Sequence, residues 1–118
     1  MRRSLIATAL LGALAALPAA AQERFPSRPI RLVVPFAAGG PTDIVARIMA
    51  PHMQQTLGQP VVVDNRPGAG GVTGVDLVAK AAPDGYVLGF GSAGALAISP
   101  NLGRGTPYDP LRDLVPLT

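Results

Sequence analysis

Apolar residues fall into short, nearly unbroken runs separated by glycine- and proline-rich breaks. Ile30–Phe36 is entered from Pro29 and left through Ala37-Ala38-Gly39-Gly40-Pro41, which predicts a first β-strand. Thr42 fits an N-cap and Asp43 a first-turn position. Behind them Ile44, Val45, Ile48, Met49 and Leu57 recur at near-helical spacing up to Gly58, a natural helix stop. Pro51 lies inside that helix and predicts a kink, or a break near Ala50. Val61-Val62-Val63 opens a second extended run that ends at Asp64-Asn65. A turn-rich loop follows at 66–71, then a helix over about Val72–Ala82, the turn Pro83-Asp84-Gly85 and a third strand, Tyr86–Gly91. Toward the end Leu96–Ser99 suits a short helical turn, Tyr108-Asp109-Pro110 a turn, and Leu114–Leu117 the start of another strand.

Strands alternating with helices predict an α/β fold, a parallel sheet with flanking helices and right-handed crossovers. The strands are apolar rather than alternating, which suggests a sheet buried on both faces.

The first apolar run has a different meaning. Arg2 and Arg3 precede Leu5–Leu17, and the segment closes on Pro18-Ala19-Ala20-Ala21. A basic start, a short apolar stretch and small residues before a cut site form an export signal, with cleavage expected after Ala21. The run is shorter than the ~20 residues that span a bilayer, so no membrane insertion is expected after cleavage. The expected organisation is thus a signal peptide over 1–21 and one small domain over 22–118. Composition then changes the picture in one respect. The chain of 118 residues carries a formal charge of +3, but losing Arg2 and Arg3 leaves it almost neutral. No Lys/Arg cluster remains to follow a phosphate backbone, so nucleic acid is not an expected partner.

Catalytic chemistry is scarce. There is no Cys, and His52 is the single histidine, placed mid-helix and away from a strand end where a triad would need it. No metal-ligand spacing and no phosphate loop of the Gly-x-x-x-x-Gly-Lys type occur, and Gly68-Ala69-Gly70-Gly71-Val72-Thr73-Gly74 has the wrong spacing for a dinucleotide loop. No enzyme activity, cofactor or metal is therefore expected.

Three glycine-rich strand-to-helix loops remain: residues 36–43, 66–71 and 91–95. Ligands of open α/β sheets bind beyond the carboxyl ends of the strands, where strand order reverses. If the order is 2-1-3, the first and third loops flank that point. Exposed backbone N–H groups and helix N-termini there suit a carboxylate, and Thr42 and Ser92 could add hydroxyl donors. The same glycines also serve tight turns and close packing. Asp43 has two open roles: it complements the helix dipole, or it orders Gly39-Gly40 and orients a water or a ligand ammonium. Arg66 reaches either the cleft mouth or an exposed salt bridge, the latter favoured. Asp84 reads as a turn residue.

Several longer motifs carry a resemblance. Pro26-Ser27-Arg28-Pro29-Ile30, VVPFAAGGPTD (33–43), LGQPVVVDNRPGAGG (57–71), AAPDGY (81–86) and TPYDPLRDLVPLT (106–118) stand in this order. Together they resemble the substrate-binding proteins of the tripartite tricarboxylate transporter (Bug) family. The resemblance covers essentially all of 22–118. It implies a two-lobed, type II periplasmic binding protein that captures small organic di- or tricarboxylates and delivers them to membrane permease subunits. It also implies ligand positions at Phe36, Ala37, Gly40, Thr42 and Asp43 in the first loop, Gly68, Ala69 and Gly70 in the second, and Ser92 and Ala93 in the third. Family members run to more than twice this length, so 22–118 corresponds to an incomplete first lobe, expected to be weakly stable and a poor binder alone. The alternative is a small exported interaction or vestigial domain without ligand binding.

Overall fold

The computed structural model describes residues 24–103 and 105–117. The signal segment and its cleavage point lie outside the described residues. Three parallel strands form one sheet: β1 (Ile30–Val34), β2 (Val61–Asn65) and β3 (Val87–Gly89), in the order β2-β1-β3. Helix α1 (Pro41–Leu57) crosses from β1 to β2, and α2 (Val72–Ala79) from β2 to β3. A π-helical turn (Gly94–Ile98) runs on into Ser99–Asn101, and a last short turn of helix covers Pro110–Asp113.

Proline sets where β1 and β3 stop pairing. Arg31 N–H bonds Tyr86 O at 2.8 Å, and Phe90 N–H bonds Val33 O at 2.8 Å. The next rung would need an N–H at position 35, and Pro35 has none. β3 is therefore shorter than the expected Tyr86–Gly91, and β1 ends at Val34 rather than Phe36. Only β1 is buried throughout most of its length. β2 and β3 are edge strands with half-exposed residues, so the sheet is not covered on both faces as the apolar runs suggested.

The strand pleat splits β1 between two packing layers. Ile30, Leu32 and Val34 meet Ala46 and Ala50 of α1 and Val61 of β2, with Met53, Leu57, Leu88 and Phe90 around them. On the other face α2 lies so close that a methyl on Gly74 would stand 2.7 Å from Pro35 Cβ and 2.9 Å from Arg66 O. A second cluster joins Val75 of α2 to Ala95 and Tyr108, whose hydroxyl donates to Ala95 O at 2.8 Å.

Helix α1 departs from expectation at its start and on its packed face. Its N-cap is Gly40 with Pro41 at the first helical position, which puts Thr42 and Asp43 two positions deeper than a Thr42 cap would. Of the two outcomes expected at Pro51, the break near Ala50 does not occur: the helix continues through Pro51, whose missing bond frees the Arg47 carbonyl on the exposed side of the helix. Its packed face is Asp43, Ala46 and Ala50, continued by Met53 and Leu57, because small alanines let the helix sit close to the sheet. Ile44, Val45, Ile48 and Met49 point away from that core, Ile48 being 61% exposed. Gly58 ends the helix in the left-handed region (φ 70°), with its N–H on Gln54 O, as expected. Helix α2 stops at Ala79 rather than Ala82, since a residue preceding Pro83 is disfavoured in helical geometry. Leu114–Leu117 forms no strand, and Pro116 removes a donor that a ladder there would use.

Candidate functional site

The order β2-β1-β3 brings all three strand-to-helix loops to one edge of the sheet. The first loop, residues 35–40, is fastened by a buried carboxylate. Asp43 is 2% exposed and accepts from Gly39 N–H (2.7 Å) and Arg47 Nε (2.9 Å) on Oδ2 and from Asn65 Nδ2 (2.9 Å) on Oδ1. Asn65 Nδ2 also donates to Phe36 O (3.1 Å), while Asn65 Oδ1 accepts from Arg47 Nη2 (3.2 Å). One side chain at the end of β2 thereby ties the loop after β1 to the first turn of α1. The Arg47 guanidinium, the Gly39 N–H and Asn65 hold the Asp43 carboxyl at about 2, below its ordinary 3.8 and against the effect of burial.

This arrangement leaves donors open. The N–H groups of Ala38, Thr42 and Asp43 make no hydrogen bond among the described residues. The last two belong to the N-terminal turn of a 17-residue helix, where backbone dipoles favour an anion.

The second loop is a run of left-handed residues: Gly68 (φ 141°), Ala69 (47°), Gly70 (65°) and Gly71 (98°). Ala69 is the single non-glycine residue with positive φ among the described residues, a costly conformation for a side chain. Gly71 N–H bonds Gly68 O at 2.9 Å and closes the turn. The third loop packs on it, since a methyl on Gly71 would meet Ser92 Oγ at 3.3 Å and Ala95 and Pro35 at 3.5 Å. Ser92 Oγ accepts from Ala95 N–H at 3.3 Å.

The structure thus joins Phe36, Gly40, Thr42 and Asp43 in one network or turn, with Ala37 accepting from Gly40 N–H. Gly68, Ala69 and Gly70 lie in the adjoining turn, and Ser92 and Ala93 in the third loop. A separate apolar trough of about 1160 Å³ runs along the free side of β3, lined by Val75, Val78, Val87, Leu96, Leu114 and Leu117 among others. Of the ten positions named from sequence, Ser92 and Ala93 alone reach it. Arg66 takes the bland option and pairs with Asp64 at 3.0 Å; Asp64 also pairs with Arg31. His52 is exposed on α1.

Residues 45–118 match the model of the tripartite tricarboxylate transporter family receptor. The chain belongs to this family. It is 52% identical over 97 residues to the protein BugT of Bordetella pertussis, covering 81% of this chain and 30% of BugT. Among solved structures it resembles MatC from Rhodopseudomonas palustris with bound malate (TM-score 0.71, 46% identity, 75% of this chain, 30% of MatC). It also resembles an R. palustris protein solved with adipate (TM-score 0.69, 40% identity, 74% of this chain, 29% of that one). The chain therefore spans less than a third of the length of these relatives. It is an α/β partial domain of a periplasmic-binding-protein fold, and the matched family consists of receptors rather than enzymes. No helix among the described residues is long and apolar enough to cross a membrane.

Arg47 and Asn65 were missed from sequence. Arg47 had a readable signal, four residues after Asp43 on the same helix face. Asn65 had only its place at the end of a strand, and its pairing spans 22 residues to Asp43.

Proposed function

We propose that this chain is the N-terminal part of a periplasmic solute-binding protein that captures a small organic di- or tricarboxylate for the permease subunits of a tripartite tricarboxylate-type transporter. Export through residues 1–21, with cleavage after Ala21, belongs to the same reading. A ligand carboxylate is held by main-chain groups: Phe36, Ala37, Gly40, Thr42 and Asp43 in the first loop, Gly68, Ala69 and Gly70 in the second, Ser92 and Ala93 in the third. The observation that carries this reading is the set of unbonded N–H groups on Ala38, Thr42 and Asp43 at the start of α1, beside the strand-order reversal. Malate in MatC and adipate in the second relative support the ligand class.

Malate and adipate should raise the unfolding midpoint of the chain, by the equivalent of about 2.7 kcal/mol at a hundred times Kd, where an uncharged sugar leaves it unchanged. Equal effects of sugar and dicarboxylate would sink the reading. The open trough beside β3 favours a second reading, a non-enzymatic interaction domain, which that null result would leave standing.

A further inference from the structure

We propose that Arg47 and Asn65 are positioning residues of the carboxylate loop, holding Asp43 so that its charge is neutralised and its oxygens are engaged while the N–H groups of Ala38, Thr42 and Asp43 stay open to an anion. The inference rests on the carboxylate-binding reading and adds to it two residues and a charge logic.

A carboxylate in the first turn of α1 is a liability at a site for another carboxylate, because like charges at close range repel. Asp43 is nevertheless ionised and buried beside Gly39, the centre of the loop. The geometry resolves this conflict. Arg47 Nε sits 2.9 Å from Oδ2 and supplies the opposite charge, and Asn65 takes Oδ1 at 2.9 Å, so both oxygens are directed into protein donors. Asn65 is the only member bonded to all three parts: the loop through Phe36 O, the carboxylate, and Arg47 Nη2. An amide does this without adding charge, accepting from Arg47 while donating to Asp43 and Phe36. The other charges nearby, Arg31, Asp64 and Arg66, bond among themselves on β1, β2 and the second loop.

Charge and structure predict opposite signs for one substitution. Asp43→Asn keeps the outline but offers an NH2 where one carboxylate oxygen accepted, and it leaves Arg47 uncompensated. The gain in positive charge should outweigh that lost bond, so malate should bind about fivefold tighter, whereas Arg47→Gln exposes an unpaired negative charge and should weaken it by about the same factor. The double variant should return close to the wild type. Asn65→Ala should weaken malate binding and speed hydrogen exchange at the Gly39 amide.

The measurement is a malate titration of the 15N-labelled 118-residue chain, followed at the amides of Ala38–Asp43. A wild-type response that every variant weakens alike would overturn the positioning role and leave the binding reading intact. Because the chain alone is expected to bind poorly, the titration runs to high millimolar malate; no response of the folded wild type there would overturn the binding reading itself. If Arg47→Gln does not fold, Asp43→Asn decides alone: tighter binding supports the proposal, and weaker binding overturns it.

Discussion

Asp43 shows how much one residue in a first turn can do. Its carboxyl is held at about 2 in the folded chain, against 3.8 ordinarily. A lowered value of this kind contributes stability above the ordinary carboxyl range and loses it as pH falls from about 4 toward 2. Asp113, also held at about 2 by Arg112 and the Asp109 N–H, adds to the same limb. Urea midpoints measured across pH 2–6 should therefore fall on the acid side, and Asp43→Asn should flatten that fall without abolishing it. An unchanged acid limb would remove Asp43 from this account. Gly74 acts at the same scale through its lack of a side chain. A methyl there collides with Pro35 and the Arg66 carbonyl, so Gly74→Ala should cost roughly 1–3 kcal/mol, read as a lowered urea midpoint.

Elements were legible from sequence where a local rule dominates. β1 and β2 begin where their apolar runs begin, and Gly58 ends α1 as a left-handed stop must. The packed face of α1 was not legible. Ala46 and Ala50 carry little hydrophobic signal, whereas Ile44, Val45, Ile48 and Met49 carry a strong one and face away. Only the distance between helix and sheet decides that small residues belong inside. The end of β3 depends on Pro35, more than fifty positions earlier, for the same kind of reason. In the site, the three loops could be read from glycine and proline, but the bonds of Asn65 to Phe36, Asp43 and Arg47 exist only once β2 lies beside β1. The second loop supplies a prediction of its own. Ala69 sits at φ 47°, where glycine is at ease, so Ala69→Gly should raise stability by about 1 kcal/mol in chemical unfolding. A loss of stability would mean that the Ala69 methyl does more than occupy a strained turn.

At the scale of the whole molecule, burial is uneven. The layer between β1 and α1 is packed, while the far side of β3 opens on a trough of about 1160 Å³ and Leu111, Val115 and Leu117 are exposed. Among the described residues no strand pairs with the outer edge of β3. An unpaired edge beside apolar surface recruits other chains. The chain taken alone should scatter more light as its concentration rises, and Val87→Lys at that edge should reduce the effect. Scattering independent of concentration would mean that the edge is protected.

The order β2-β1-β3 also sets a schedule. The strand made first is the one that ends in the middle, and its two neighbours are separated from it by whole helices. A nascent chain emerging amino end first must carry Ile30–Val34, its most buried strand, with both sides unsatisfied until Asn65 and then Gly89 have appeared. Pairings of that sequence separation form slowly. The interval before they close is when this chain most needs something else to cover β1.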